Sequence, residues 1–135
     1  VLPFENESFD CVIVNSLLHH LDLDKGLKEI SRVLKPGGSL WAREPLGINP
    51  VFKLYRYITP GARTPDEQPF LFNELRIIRK YFKTNKVAYF GLFSIVSAFS
   101  SSYKLRSFLT VIDRFVSKTP LKYLCWHIAG EFTKK

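Results

Sequence analysis

The first strong signal along the chain is a short continuous run of apolar residues at 9–15, rich in β-branched side chains. Polar residues bound the run, with acidic, amide and hydroxyl side chains at 5–8 before it and Asn15 at its end. Continuous apolarity without alternation is typical of a strand buried on both faces, as in a parallel sheet. The pattern therefore predicts an inner strand over residues 9–15.

A helix is predicted next, over residues 22–34. An acidic residue at 22 or 24 suits its N-cap. Pro-Gly-Gly at 36–38 ends it, because proline cannot continue a helix and glycine accepts the left-handed cap conformation. Residues 39–44 then favour a second strand, which completes a right-handed βαβ unit. Four apolar residues of the helix recur at spacings that place them on one face: Leu23, Leu27, Ile30 and Leu34.

Beyond residue 45 the pattern alternates between helical and strand-like segments, around a loop at 59–69 that contains three prolines. Residues 94–103 fit neither pattern. No internal repeat or linker divides the chain, so a single domain is predicted. Helices are predicted over 50–58, 70–82 and 105–117, and strands over 86–93 and 122–133.

The composition is that of a folded domain, with 46% hydrophobic and 24% charged residues, and it excludes a disordered tail. The charge is uneven: residues 1–47 carry five basic and seven acidic residues, whereas residues 48–135 carry fifteen basic and five acidic ones. A basic half could bind nucleic acid or an anionic membrane surface, or it could be a solvent-exposed basic surface without a partner. Because the bases are dispersed and no nucleic-acid motif accompanies them, the sequence predicts no nucleic-acid partner and gives only weak support to peripheral membrane contact.

The chain has two cysteines, Cys11 and Cys125, in apolar surroundings. They are too few for a disulfide scaffold, so both are predicted to be buried reduced thiols of a cytoplasmic protein. No apolar run approaches the roughly 18 residues of a membrane span, and no signal-peptide pattern opens the chain. His19 and His20 are adjacent and their side chains are expected to point apart, so no metal site is predicted.

Three sequence phrases together resemble the class I S-adenosylmethionine-dependent methyltransferases, in the subgroup that acts on quinones, sterols and other small molecules. They match the motifs around strands four and five of that fold, strongly over residues 1–45 and only in element order over 46–135. The phrases are Leu2-Pro3-Phe4 followed by Phe9-Asp10, then Leu18-His19-His20-Leu21, then Glu29-Ile30-Ser31-Arg32-Val33-Leu34-Lys35-Pro36-Gly37-Gly38.

The resemblance implies an α/β fold, namely the C-terminal half of a seven-stranded Rossmann-like sheet of parallel strands with a terminal antiparallel strand. It divides the chain into core motifs at 1–45 and an acceptor-side region at 46–135. The pairing it implies is parallel for 9–15 with 39–44 and antiparallel for 39–44 with 122–133, with 86–93 at the outer edge.

The family's glycine-rich cofactor loop has no counterpart in this sequence. The seven glycines form no G-x-G phrase, although such glycines let the backbone approach a nucleotide closely. In the family, this loop and the acid that binds the ribose precede the first phrase. They are therefore expected upstream of Val1, and the isolated chain is expected to be an inactive part of a longer enzyme.

The resemblance also implies S-adenosylmethionine as the cofactor and a small molecule as the methyl acceptor. Asn15, Ser16 and Leu17 follow the first strand, where ligands of open α/β sheets bind, and are implied to contact the cofactor together with His20. Asn15 could instead merely cap the turn. For His20, three roles stay open: shaping the pocket, acting as a general base, or none.

Glu44 and Pro45 end the second strand at the same edge and are candidates for the acceptor pocket, unless they only turn the chain. Glu29 and Arg32 are predicted to pair on the helix surface, and Asp10 and His127 are assigned structural roles. Four charged residues flank the proline-rich loop, as a lid or as a solvated surface: Arg56, Arg63, Asp66 and Glu67. Five aromatic residues are predicted to be core rather than substrate pocket: Phe90, Phe93, Phe99, Phe108 and Phe115.

Two functions follow from these observations. The first is methyl transfer from S-adenosylmethionine to a small acceptor by an enzyme of which this chain is part. The alternative is a non-catalytic, methyltransferase-like binding module that acts through its basic C-terminal half. A nicotinamide-dependent dehydrogenase would share the sheet but lacks the phrases quoted above.

Overall fold

A computed structural model describes residues 1–59, 61, 70, 72–94 and 100–135. It contains a mixed sheet of four strands in the order β1-β2-β4-β3. The strands are β1 (Phe9–Asn15), β2 (Leu34–Pro45), β3 (Phe82–Phe90) and β4 (His127–Lys134). The α-helices are α1 (Leu23–Val33), α2 (Pro50–Ile58), α3 (Phe72–Tyr81) and α4 (Tyr103–Val116), and short 3₁₀ turns cover Leu18–His20 and Pro120–Leu124.

The predicted strand pairing is confirmed. β1 pairs with β2 in parallel, whereas β4 lies antiparallel between β2 and β3. The seven-stranded sheet is not tested by these four strands. The element bounds differ by a few residues from the predicted ones, most of all for the last strand, whose first residues form the 3₁₀ turn Pro120–Leu124.

The glycine pair after α1 forms an irregular start to β2 rather than a separate turn. Between the pairs Phe9–Leu34 and Cys11–Ser39 the register of β1 and β2 shifts. Gly37 has a φ of 74°, and a Cβ at Gly38 would lie 2.9 Å from the carbonyl oxygen of Lys35. Glycine is needed at both positions, because the first is left-handed and the second is too close to the backbone.

The core lies between one sheet face and helices α1 and α3. Asp22 caps α1 by accepting a hydrogen bond from the Lys25 amide, and Leu27 and Ile30 of that helix pack against the sheet as their spacing predicted. Ile78 of α3 is buried against the same sheet face. Phe82, at the end of the segment 70–82 that was predicted as a helix, instead begins β3 and is fully buried.

The prediction that β1 is buried on both faces is wrong. Val14 is buried, but Ile13 is 78% exposed and Cys11 is exposed as well. β1 lies at the edge of the described sheet, and its second face, which continues onto the 48% exposed Trp41, is open.

The exposure of Cys11 also contradicts the prediction that both cysteine thiols are buried. Cys125 is buried as predicted, and burial raises the pKa of its thiol to about 11.

The prediction that five phenylalanines form core is wrong for three of them. Phe93 is 42% exposed, Phe108 63% and Phe115 67%. Phe90 is half-buried and stacks on His127, with ring centroids 5.4 Å apart. Phe99 lies outside the described residues, as do Arg63, Asp66 and Glu67 of the proline-rich loop. Helical spacing identifies one face but not whether a neighbour covers it, and α4 turns much of its apolar surface to water.

The predicted pair of Glu29 and Arg32 also holds the start of the chain. The Arg32 guanidinium donates to both carboxylate oxygens of Glu29, and it reaches the carbonyl oxygens of Leu2 and Phe4. Glu29 in turn accepts from the Leu2 amide at 3.0 Å. The Arg32 hydrogen bond, and secondarily the Leu2 amide, lower the pKa of Glu29 to about 2.

Among the described residues, no helix is both long and apolar enough to cross a membrane.

Candidate functional site

The carboxyl ends of three strands meet at one edge of the sheet, called here the carboxyl edge. β1 and β2 are parallel, and β3 runs in the same direction because both β2 and β3 are antiparallel to β4. Pro45 and Phe90 both pair with His127, which fixes the ends of β2 and β3 at the same level. Ligands of open α/β sheets bind at such an edge, so it is the candidate site.

Three of the predicted cofactor residues, Asn15, Ser16 and Leu17, form an exposed turn at this edge. Ser16 has a φ of 51°, a left-handed conformation that is uncommon for a residue with a Cβ. Its amide donates to the carbonyl oxygen of Arg43 at 2.7 Å, which ties the turn to β2. Strained backbone held by its surroundings is typical of functional turns.

Glu44 lies beneath this turn and fixes its far side. Its side chain is fully buried, and one carboxylate oxygen accepts from the amides of Leu17 at 3.1 Å and Leu18 at 2.9 Å. The other oxygen lies 2.6 Å from Nδ1 of His19, which is also buried. Two backbone amides and the His19 ring nitrogen converge on one buried carboxyl group and form a single polar network, so Glu44 supports the turn from within.

His20 is half-buried, and its ring centroid lies 4.0 Å from that of His19 at an angle of 40°. The expectation that the two side chains point apart is therefore wrong, because the two rings lie against each other. Among the residues that the structure describes, no group of three metal-ligating side chains is present.

A cavity of about 500 Å³ opens beside His20. Its wall includes Phe70, whose amide donates to the carbonyl oxygen of Pro45 and whose carbonyl oxygen accepts from Gly47. Pro45 thus contributes through its backbone, and the Glu44 side chain is not part of the described wall. The wall is formed by Leu18, His19, His20, Leu21, Asp22, Leu23, Asp24, Phe70, Glu74 and Ile77.

At the far side of the carboxyl edge, Arg43, Phe90 and His127 form a second group. The Arg43 guanidinium lies 5.5 Å from the centroid of the Phe90 ring, which stacks on His127. Burial, and secondarily the charge of Arg43, lower the pKa of His127 below its usual value. A neutral imidazole packed in this way fits the structural role predicted for His127.

Sequence reasoning missed three features of this edge: the bond between His19 and Glu44, the wall residue Phe70, and Asp113. Asp113 is buried, and its carboxylate accepts from the amides of Gly91, Phe93 and Ser94. A single acidic residue on the polar face of a helix gives no sequence signal that its carboxylate will accept hydrogen bonds from the amides of another segment. The Glu-Pro phrase at the end of β2 did mark Glu44, but nothing in the sequence linked it to His19.

Known proteins resemble this chain in both sequence and fold. A family model described as a methyltransferase domain matches residues 1–42. The ubiquinone/menaquinone biosynthesis C-methyltransferase UbiE of Haemophilus ducreyi is 43% identical over 60 residues, covering 42% of this chain and 23% of that protein. The uncharacterized methyltransferase YodH of Bacillus subtilis is 56% identical over 39 residues, covering 29% of this chain and 17% of that protein. The matched part thus spans less than a quarter of these relatives.

Solved structures share the fold of the whole chain. An S-adenosylmethionine-dependent methyltransferase of Thermotoga maritima superposes with a TM-score of 0.71 at 23% identity, covering 100% of this chain and 60% of that one. A geranyl diphosphate C-methyltransferase of Streptomyces coelicolor gives 0.64 at 17% identity, covering 100% and 49%. Together with the sequence matches, they confirm the resemblance that the three phrases indicated.

Proposed function

We propose that this chain, a relative of the class I S-adenosylmethionine-dependent methyltransferases, supplies the carboxyl-edge part of a site that methylates a small molecule. The observation that carries the proposal is the turn Asn15–Leu17, which Glu44 fixes from below at the edge where such sheets bind ligands. The family match over residues 1–42 includes this turn and ends two residues before Glu44. The four strands would then be one half of a seven-stranded sheet, with residues 46–135 on the acceptor side.

The chemistry of the turn suits part of the cofactor. The side chains of Asn15 and Ser16 offer polar groups to its methionine and ribose parts, and the half-exposed Leu17 offers apolar surface. The amides of Leu17 and Leu18 already donate to Glu44, so we assign the contact to side chains of the turn rather than to these amides. When bound, the cofactor supplies an activated methyl group on a sulfonium.

Methyl transfer from a sulfonium requires mainly that the acceptor be aligned and water excluded. Five of the ten wall residues of the cavity beside His20 are apolar, among them Leu18, Leu21 and Phe70, and the other five are histidines and acids. We assign the acceptor to it, with His20 shaping the pocket and Pro45 holding Phe70 in place. A general-base role for His20 would differ by making the rate depend on its protonation.

The names of the relatives agree with a small acceptor. UbiE is described as a ubiquinone/menaquinone biosynthesis C-methyltransferase, and the Streptomyces coelicolor protein as a geranyl diphosphate C-methyltransferase. A cavity of about 500 Å³ lies within the usual range of small-molecule sites. The glycine-rich loop of the family is not among these 135 residues, so the proposal requires that loop to be supplied by other residues.

Photolabelling tests the proposal without requiring turnover. The chain is irradiated with an azido derivative of S-adenosylmethionine at millimolar concentration, and the labelled peptides are sequenced by mass spectrometry. We expect the label within Asn15–His20, and we expect excess S-adenosylhomocysteine to prevent it.

The matched control uses two exposed asparagines. Asn15→Leu should reduce the labelling, whereas Asn85→Leu, in β3 near the opposite sheet edge, should leave it unchanged. Labelling elsewhere, labelling that S-adenosylhomocysteine does not prevent, or no labelling would overturn the proposal. A non-catalytic binding module, the alternative function, would give either no labelling or labelling that S-adenosylhomocysteine does not prevent.

A further inference from the structure

Helix α4 turns an apolar surface to water. Phe108, Val111 and Phe115 are spaced by three and four residues, so they lie on one helical face, and they are 63%, 47% and 67% exposed. Tyr103 in the first turn of the helix is 80% exposed. Single exposed apolar residues are ordinary, but a row of them along one helix indicates an interaction surface.

The orientation of this helix is fixed from its other side. Asp113 is buried, and its carboxylate accepts hydrogen bonds from the amides of Gly91, Phe93 and Ser94 and from the Ser94 hydroxyl at 2.6 Å. Rotation of α4 to bury its phenylalanines would break these bonds. The exposed face is therefore held outward at the carboxyl edge, from which the chain leaves β3.

The charge around this face has a single sign. Residues 100–126 contain five bases and one acid, and that acid is the buried Asp113. Lys104, Arg114 and Lys118 are exposed. Lys104 lies one turn before Phe108, and Lys118 follows Phe115 by three residues, so bases flank the apolar row at both ends.

We propose that this face of α4 docks the protein on an anionic phospholipid surface. An apolar row with flanking bases is the arrangement by which amphipathic helices lie in a bilayer interface, the apolar side chains among the acyl chains and the bases at the headgroups. Helix α2, which follows the end of β2 at the same edge, likewise exposes Lys53, Leu54, Tyr57 and Ile58. The inference rests on α4 and is independent of the proposed methyl transfer.

Charge complementarity favours lipid over a second copy of the chain. A symmetric dimer through this face would bring the bases of both copies together with no exposed acid in residues 100–126 to pair with them, and like charges oppose such contact. Nucleic acid would satisfy the bases but not the aliphatic Val111. An anionic bilayer satisfies both.

Vesicle flotation tests the proposal, because aggregated protein does not float. The 135-residue chain is mixed with vesicles of phosphatidylcholine alone or with phosphatidylglycerol, and the floating fraction is measured. We expect flotation with the anionic vesicles only, weakening as salt is added. Phe108→Ala with Phe115→Ala should lower the partition coefficient at least about tenfold. Lys104→Gln with Lys118→Gln should do the same.

The charge control is Lys28→Gln with Lys83→Gln, which removes two exposed bases from other elements and should change flotation less than about threefold. All six positions are exposed, so the variants should keep their thermal unfolding temperature. Flotation equal on neutral vesicles, insensitive to the α4 variants, or equally sensitive to the control pair would overturn the proposal. So would sedimentation showing that the phenylalanine variants abolish a dimer instead.

Discussion

At the scale of single residues, the most consequential finding is that Glu44 acts beneath the turn and not on its surface. Its carboxylate connects β2 to the amides of Leu17 and Leu18 and to the His19 ring. Removing a buried acceptor leaves each of its donors unsatisfied, at a cost of about 1–3 kcal/mol per group. The turn therefore depends on one side chain that no ligand need touch.

We expect Glu44→Ala to lower the free energy of unfolding by about 2–4 kcal/mol and Glu44→Gln by less, because an amide oxygen still accepts from the turn. Urea unfolding measures both. Glu131→Ala, on the half-buried surface of β4, is the control and should cost less than about 1 kcal/mol. Equal losses for Glu44→Ala and Glu131→Ala would show that the network does not support the fold.

His127 makes stability depend on pH. Its pKa is lowered in the folded chain by burial and by Arg43, so the unfolded chain, with a histidine pKa of about 6.5, binds the proton first. The stabilisation is complete above that pH and is lost as the pH falls from about 6.5 through the folded pKa. Urea unfolding of the wild type and of His127→Gln across this range should show a shallower slope for the variant. Parallel slopes would contradict the assignment.

At the scale of elements, the fold anchors its edge segments with buried carboxylates. Glu44 holds the turn after β1, and Asp113 of α4 holds the turn after β3 by accepting from three amides. In both cases a carboxylate from a neighbouring element accepts hydrogen bonds from the amides of a turn that follows a strand, because buried amides require an acceptor. The carboxyl edge is thus built by long-range polar contacts as well as by the core.

We expect Asp113→Ala to destabilise the chain by about 2–4 kcal/mol and to accelerate amide hydrogen exchange at Gly91, Phe93 and Ser94. The exposed Asp10, whose ion pair with Lys35 lies at the surface, supplies the control: Asp10→Ala should cost less than about 1 kcal/mol. Unchanged exchange at the three amides would refute the anchoring role.

At the scale of the whole molecule, β1 is an edge strand whose exposed face is apolar. Ile13 is 78% exposed, and no charge or proline interrupts Cys11–Val14. Edge strands of natural proteins usually carry a charged residue or a proline that prevents pairing with other chains. The open face continues over Trp41 into a concavity of about 610 Å³.

We therefore expect the 135-residue chain to self-associate through β1 as its concentration rises. Sedimentation velocity should show this for the wild type, and Ile13→Lys should suppress it, because an edge lysine opposes pairing. Thr110→Lys, exposed on α4, adds the same charge away from that edge and should have little effect. A monodisperse monomer at every concentration, with strong exchange protection at Val12–Val14, would contradict the prediction.

The sequence predicted the elements and their order well because both depend on local periodicity. The apolar spacing of α1 and the β-branched run of β1 required no knowledge of neighbours. The prediction failed where burial depends on what covers a face, as at Ile13, Phe108 and Phe115. It also missed the bond between His19 and Glu44, since 25 residues separate them and only the pairing of β1 with β2 brings them together.

The most direct test of the central claim is calorimetric titration with S-adenosylmethionine. The claim is that the carboxyl edge supplies one part of a cofactor site and the glycine-rich loop another. The 135-residue chain alone should bind only in the millimolar range, whereas a polypeptide that joins it to a strand and glycine-rich loop should bind much more tightly, and Asn15→Leu should weaken that binding. Low-micromolar binding by the chain alone, or none by the joined polypeptide, would contradict the account.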